Sequence, residues 1–83
     1  MVSRMSKARA WGYELEVRGR ELIITLPGTS YRAIYHKPQN SPQLLAKIFP
    51  RENEKRALVG QAEFLARAWK LANNKARELG WIA

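Results

Sequence analysis

Few side chains in this 83-residue chain could do acid–base, nucleophilic or metal chemistry. There is one histidine, His36, no cysteine and no aspartate, and all seven acidic residues are glutamates. A Ser-His-Asp or Cys-His set cannot be completed from that inventory with any carboxylate other than Glu. His36 alone cannot make a zinc site, and no ligand spacing accompanies it. The glutamates mostly fall on exposed periodic positions among Arg and Lys, so paired-carboxylate hydrolysis has no evident site. No glycine-rich phosphate loop of the Walker or Rossmann type occurs. The chain is expected to be no enzyme, with no cofactor and no metal.

The remaining chemistry is that of charge. Fifteen Lys and Arg against seven acids leave a net charge of +8, which points toward polyanions. The excess is uneven. Residues 1–10 carry +3 through Arg4, Lys7 and Arg9, whereas residues 11–36 are neutral. Residues 37–60 carry +3, with Lys37, Lys47, Arg51, Lys55 and Arg56 against Glu52 and Glu54. Residues 61–83 carry +2. Phosphates of DNA or RNA would be met by the first group, by Arg20 in a turn, and by the middle group. Such contacts position a protein without reading sequence, so binding should be weakly specific and strongly salt-dependent.

These cations must be held by some architecture, and the clearest element is the last third. At about 100° per residue, Leu65, Trp69, Ala72, Ala76 and Leu79 fall on one side of a helix over 61–79. Glu63, Arg67, Lys70, Asn74, Arg77 and Glu78 take the other. Gly60 can serve as N-cap, and Gly80 is placed to end the helix in the left-handed conformation. Trp81 and Ile82 then turn back onto the core. Ala68, Ala72 and Ala76 make a smooth ridge that large side chains can approach. Phe64 and Leu71 lie to one side of the stripe, which implies a second contact, intramolecular or with a partner chain.

Ahead of this helix the period is two. Trp11, Tyr13, Leu15 and Val17 alternate with Glu14, Glu16 and Arg18, which predicts a half-buried strand. Gly19-Arg20 suits a two-residue hairpin turn. That turn pairs Arg18 with Glu21, Val17 with Leu22, Leu15 with Ile24 and Tyr13 with Leu26, putting every apolar pair on one face. A turn at Pro27-Gly28-Thr29-Ser30 leads to a third strand over 31–36, pairing Leu26 with Tyr31, Ile24 with Ala33 and Leu22 with Tyr35. Ile23 and Ile34 should then stand side by side on the outer face, either as an ordinary apolar pair or as a seat for another subunit. Ser41-Pro42 reads as the start of a short helix through Leu44, Leu45 and Ile48, ended by Pro50. That helix is a candidate cover for Phe64 and Leu71.

The expectation is a single α+β domain over 11–83, preceded by a basic flexible arm or frayed helical turn over 1–10. It consists of a three-stranded antiparallel meander packed on a long C-terminal helix, with a short connecting helix between them. The order of strands and helix is similar in plan to AP2-type and integrase arm-binding domains, which read DNA with the sheet, and to the strand–strand–strand–helix half of double-stranded RNA-binding domains. The first residues of the last helix, Gly60, Gln61, Ala62 and Glu63, lack the lysine cluster of the RNA-binding family. The outer sheet face carries Glu14 and Glu16 beside Arg18 and Arg32, not the positive face of the sheet readers. No family is assigned on plan alone.

With no apolar run long enough to span a membrane and no apolar leader, the cytoplasm is the expected compartment. The leading functional expectation is a nucleic-acid-associated protein. The alternative is a homodimeric or adaptor protein–protein module with no nucleic-acid role, using Ile23, Ile34, Phe64 and Leu71.

Overall fold

The computed structural model describes residues 6–10, 12–55 and 57–83, with 6–10 described as backbone only. Five strands and one helix follow in order: β1 Ser6–Ala10, β2 Tyr13–Arg18, β3 Glu21–Thr25, β4 Arg32–His36, β5 Leu45–Ile48 and α1 Gln61–Glu78. The strands form one antiparallel sheet in sequence order, β1-β2-β3-β4-β5. Helix α1 lies over β3 and β4. The α+β plan with a meander and a long C-terminal helix is as the sequence predicts, and the sheet is wider.

The central hairpin has the predicted register. Arg18 faces Glu21, Val17 faces Leu22, and Leu15 faces Ile24. Gly19 takes φ 59°, where a Cβ would be strained, and this lets the chain reverse in two residues. The β3–β4 pairing also matches, with Ile24 beside Ala33, Ile23 beside Ile34 and Leu22 beside Tyr35. Thr29 Oγ1 closes the turn between these strands by donating to the Leu26 carbonyl at 2.7 Å.

Two elements depart from expectation. The segment expected to be a flexible arm supplies β1, which pairs with β2 through Ala10–Tyr13, Ala8–Leu15 and Ser6–Val17. Its other register partners are Lys7 with Glu16 and Arg9 with Glu14. The strand expected from Trp11 begins at Tyr13, after Gly12 at φ 80°; Trp11 itself lies outside the described residues. The expected short helix after Pro42 is strand β5. Only seven residues separate Pro42 from Pro50, too few to sustain a helix unaided. Pairing instead satisfies the backbone along β4, with a register shift between Ile34 and Tyr35.

The core lies between the sheet and α1. Tyr13, Leu15, Leu22, Ile24, Tyr31, Ala33 and Tyr35 from the sheet meet Phe64, Ala68, Ala72 and Ala76 from the helix, with Leu44 beside them. The ring of Phe64 stacks between Tyr13, at 5.5 Å, and Tyr31, at 5.0 Å. This stacking corrects the predicted helix face. The buried residues of α1 are Phe64, Ala68, Ala72 and Ala76, so the inward direction is turned about 40° from the predicted stripe. Leu65 is half-buried, while Trp69 and Leu79 are 44% and 41% exposed. A large aromatic with two partners outweighs a leucine at the stripe's centre.

Both ends of α1 are fastened. Gly60 provides no side-chain cap, but Asn53 Oδ1 accepts from the Gln61 N–H at 2.7 Å, so the cap is delivered from a distant loop. At the other end Gly80, φ 77°, donates to the Arg77 carbonyl at 3.0 Å, and Trp81 donates to the Ala76 carbonyl at 2.8 Å. That is a Schellman pair. It turns Trp81 and Ile82 back against the core, as predicted.

Candidate nucleic-acid interface

The cations singled out in the sequence do not converge. Arg20 sits in the β2–β3 turn, and its carbonyl accepts from the Lys37 N–H at 3.3 Å, so Arg20 and Lys37 share one end of the sheet. Lys47 reaches this end from β5, but its ammonium is held by Glu21 Oε2 at 2.5 Å. The Lys37 ammonium donates to the Pro38 carbonyl at 2.7 Å. Arg51 and Lys55 stand at the opposite end, around an open hollow with Ser30, Tyr31, Glu52 and Glu54. That loop is tied to the β3–β4 turn, because Glu54 Oε1 accepts from the Ser30 N–H and Tyr31 Oη accepts from the Glu54 N–H. Two glutamates offset its two cations. Lys7 and Arg9 lie on β1, at register positions opposite glutamates. Arg4 and Arg56 lie outside the described residues.

The apolar positions weighed for a partner surface also change standing. Phe64 is fully buried between its two tyrosines and presents no surface. Ile23 and Ile34 are 6% and 7% exposed, and Leu71 is half-buried against the core. The apolar side chains that do reach water include Leu45, Ile48 and Phe49, on and just beyond β5.

A different surface brings cations and an aromatic ring together. On the outward side of α1, Ala66, Trp69, Lys70, Asn73, Asn74 and Arg77 line an open hollow. Helical spacing puts them there: Ala66, Lys70, Asn73 and Arg77 follow i, i+4, i+7, i+11, opposite the buried Ala68–Ala72 side. The space is there because the side chain at position 66 is only a methyl group. Among the described residues that line the hollow there is no glutamate.

The side chains are held in different ways. The Trp69 ring packs against Tyr35 at 5.5 Å and 58°, which leaves one part of the indole covered and the rest in water. Asn73 Nδ2 donates to the Trp69 carbonyl at 2.8 Å, so its oxygen is left as an acceptor. Arg77 donates from Nε to Ala83 O at 3.2 Å and from Nη1 to Asn74 Oδ1 at 3.3 Å. Lys70 makes no hydrogen bond or ion pair among the described residues. On the flank, Arg67 is 3.6 Å from Glu63 and faces the Tyr13 hydroxyl. Burial, only partly opposed by Arg67, holds the Tyr13 phenol above its ordinary value.

Sequence reasoning placed Lys70, Asn74 and Arg77 on the solvated side but put Trp69 inside. The usable signal was Trp69 at the margin of the stripe, next to Lys70 and eight residues before Arg77.

Elsewhere the chemistry is thin. Among the described residues no group of three or more His, Cys, Asp or Glu could hold a metal ion. No described helix is long and apolar enough to cross a membrane. A hollow on the outer sheet face is bordered by Glu14, Glu16, Ile23, Thr25 and Arg32, so its charge is mixed. No family model matches the chain, and neither a curated protein nor a solved structure is found to resemble it.

Proposed function

We propose that this protein is a non-enzymatic, cytoplasmic, nucleic-acid-associated protein that binds mainly through phosphate contacts of low sequence specificity. One observation carries the proposal: the outward hollow of α1 joins Lys70 and Arg77 to an exposed indole, with no glutamate among its described lining residues. The net charge of +8 supports it by favouring encounter with a polyanion. Arg20 and Lys37, at one end of the sheet, add positive potential.

The test is a fluorescence titration with labelled nucleic acid at low and moderate salt. Binding at low salt that weakens steeply as salt rises is the expected result. Absence of binding at low salt, or an affinity indifferent to salt, would overturn the proposal.

A second reading is a homodimeric or adaptor protein–protein module. It is favoured by β5, the edge of the sheet among the described residues, where Leu45, Ile48 and Phe49 are 48%, 49% and 43% exposed. An edge strand offers unpaired backbone groups to another strand. Lys47 and the flanking Pro42 and Pro50 oppose that use. Sedimentation at tens of micromolar separates the two, since a monomer removes the homodimer form.

A further inference from the structure

We infer that the outward hollow of α1 is a single-strand site, in which a nucleobase stacks on Trp69 while Lys70 and Arg77 hold neighbouring phosphates; this rests on the nucleic-acid reading above.

The reasoning begins with the ring. A base within a duplex is already stacked on both faces, so an exposed indole gains nothing from it. A base in a single strand has a free face, and stacking on an aromatic side chain is tolerant of its identity. Trp69 suits this task because Tyr35 packs against it. The platform is held before any ligand arrives, so little side-chain freedom is lost on binding.

The surroundings match the same ligand. Lys70 and Arg77 are seven residues apart, roughly 10 Å along the helix axis at 1.5 Å per residue. That spacing suits a short run of backbone, not one isolated anion. Lys70 has no partner to surrender among the described residues, so recruiting it breaks no existing contact. Arg77 is steadied by Asn74 and Ala83 O and still has a free Nη2. The Asn73 amide oxygen can accept a hydrogen bond from a base edge. Ala66 leaves room for a strand to lie close against the helix.

The experiment compares labelled single-stranded DNA, single-stranded RNA and duplex DNA of equal length, by anisotropy, at low and moderate salt. The proteins are wild type, Trp69→Leu and Ala66→Glu. Leucine keeps an apolar cover over Tyr35 and removes the stacking face. Glutamate puts a carboxylate into the hollow at an exposed helical position that folding does not depend on. Tighter binding of single strands than of duplex is expected for wild type. Each variant should weaken single-strand binding about tenfold or more, with duplex binding much less affected.

Equal loss on the DNA and RNA strands assigns the site to features both share. A loss confined to one strand type assigns the site to that nucleic acid. Single-strand binding unchanged in Ala66→Glu overturns the site even if Trp69→Leu fails to fold. Duplex preferred over single strand, with both variants silent, overturns the stacking site but leaves phosphate association standing. No binding of any nucleic acid at low salt overturns both.

Discussion

Helix α1 carries alanines on both its sides, and the two sides do opposite things. Inward, Ala68, Ala72 and Ala76 are fully buried, in one core cluster with the sheet's tyrosines, leucines and isoleucine. Outward, Ala66 is exposed at the floor of a hollow rimmed by Trp69, Lys70 and Arg77. The small residue is the same; what stands opposite it differs. On the sheet side the small side chains are part of a closed core shared with the sheet. On the water side Ala66 faces solvent, beside Lys70, the Asn73 amide oxygen and the remaining donor capacity of Arg77. Smallness by itself therefore carries no meaning here until the facing surface is known.

The comparison breaks most easily at Phe64. This ring joins Tyr13 and Tyr31 to the helix, so Phe64→Ala should cost about 3–5 kcal/mol and can unfold the chain. Urea or thermal unfolding measures it, and a cost near that of a surface change would mean the inward side is not tightly filled. A smaller effect comes from enlarging an alanine on each side. Ala72→Leu should destabilise by about 1–3 kcal/mol through overpacking, whereas Ala66→Leu should stay within about 0.5 kcal/mol. Equal costs at the two positions would erase the distinction.

Alkali probes the buried side more gently. Burial raises the phenols of Tyr13 and Tyr35 above their ordinary value. A raised folded value means that the stability tied to the neutral phenol is complete below about pH 10 and is lost as pH rises through the folded values. Tyrosinate absorbance should therefore develop in part only as the protein unfolds. Full titration at ordinary values with the fold intact would show that these phenols are not desolvated.

The smallest effect is expected at the surface pair Lys47–Glu21. The hydrogen bond from Lys47 is the main reason the Glu21 carboxyl titrates below its ordinary value. A depressed folded value means stability present above about pH 4.3 and lost as pH falls through the folded value. Wild type should melt slightly above Lys47→Met at neutral pH, with the gap closing in acid. A gap that persists in acid would place the effect elsewhere.

Much of the sheet was legible because turn length and alternation constrain each other. A two-residue turn at Gly19-Arg20 leaves only one register that keeps Leu15, Val17, Leu22 and Ile24 on one face. Strand β1 was missed because Ser6–Ala10 has no large apolar residue, and hydrophobic alternation is blind to small ones. Its signal was charge. Taking Trp11-Gly12 as a second two-residue turn sets Lys7 opposite Glu16 and Arg9 opposite Glu14. Strand β5 was missed because Leu44, Leu45 and Ile48 fit helical spacing, whereas the short span between Pro42 and Pro50 and the open edge of β4 favour a strand. The candidate site was half legible: its cations followed from periodicity, but the exposure of Trp69 did not. That exposure depends on which ring the sheet grips, and two tyrosines grip Phe64.

The borrowed cap at Asn53 has a consequence for how the molecule assembles. A peptide cut to begin at Gly60 would lack its N-terminal partner and the rings that clasp Phe64. It should be mostly unstructured in water, although the helix is the clearest pattern in the chain. The longest element is then the product of the completed tertiary structure rather than its seed, and order in this chain should come and go all at once.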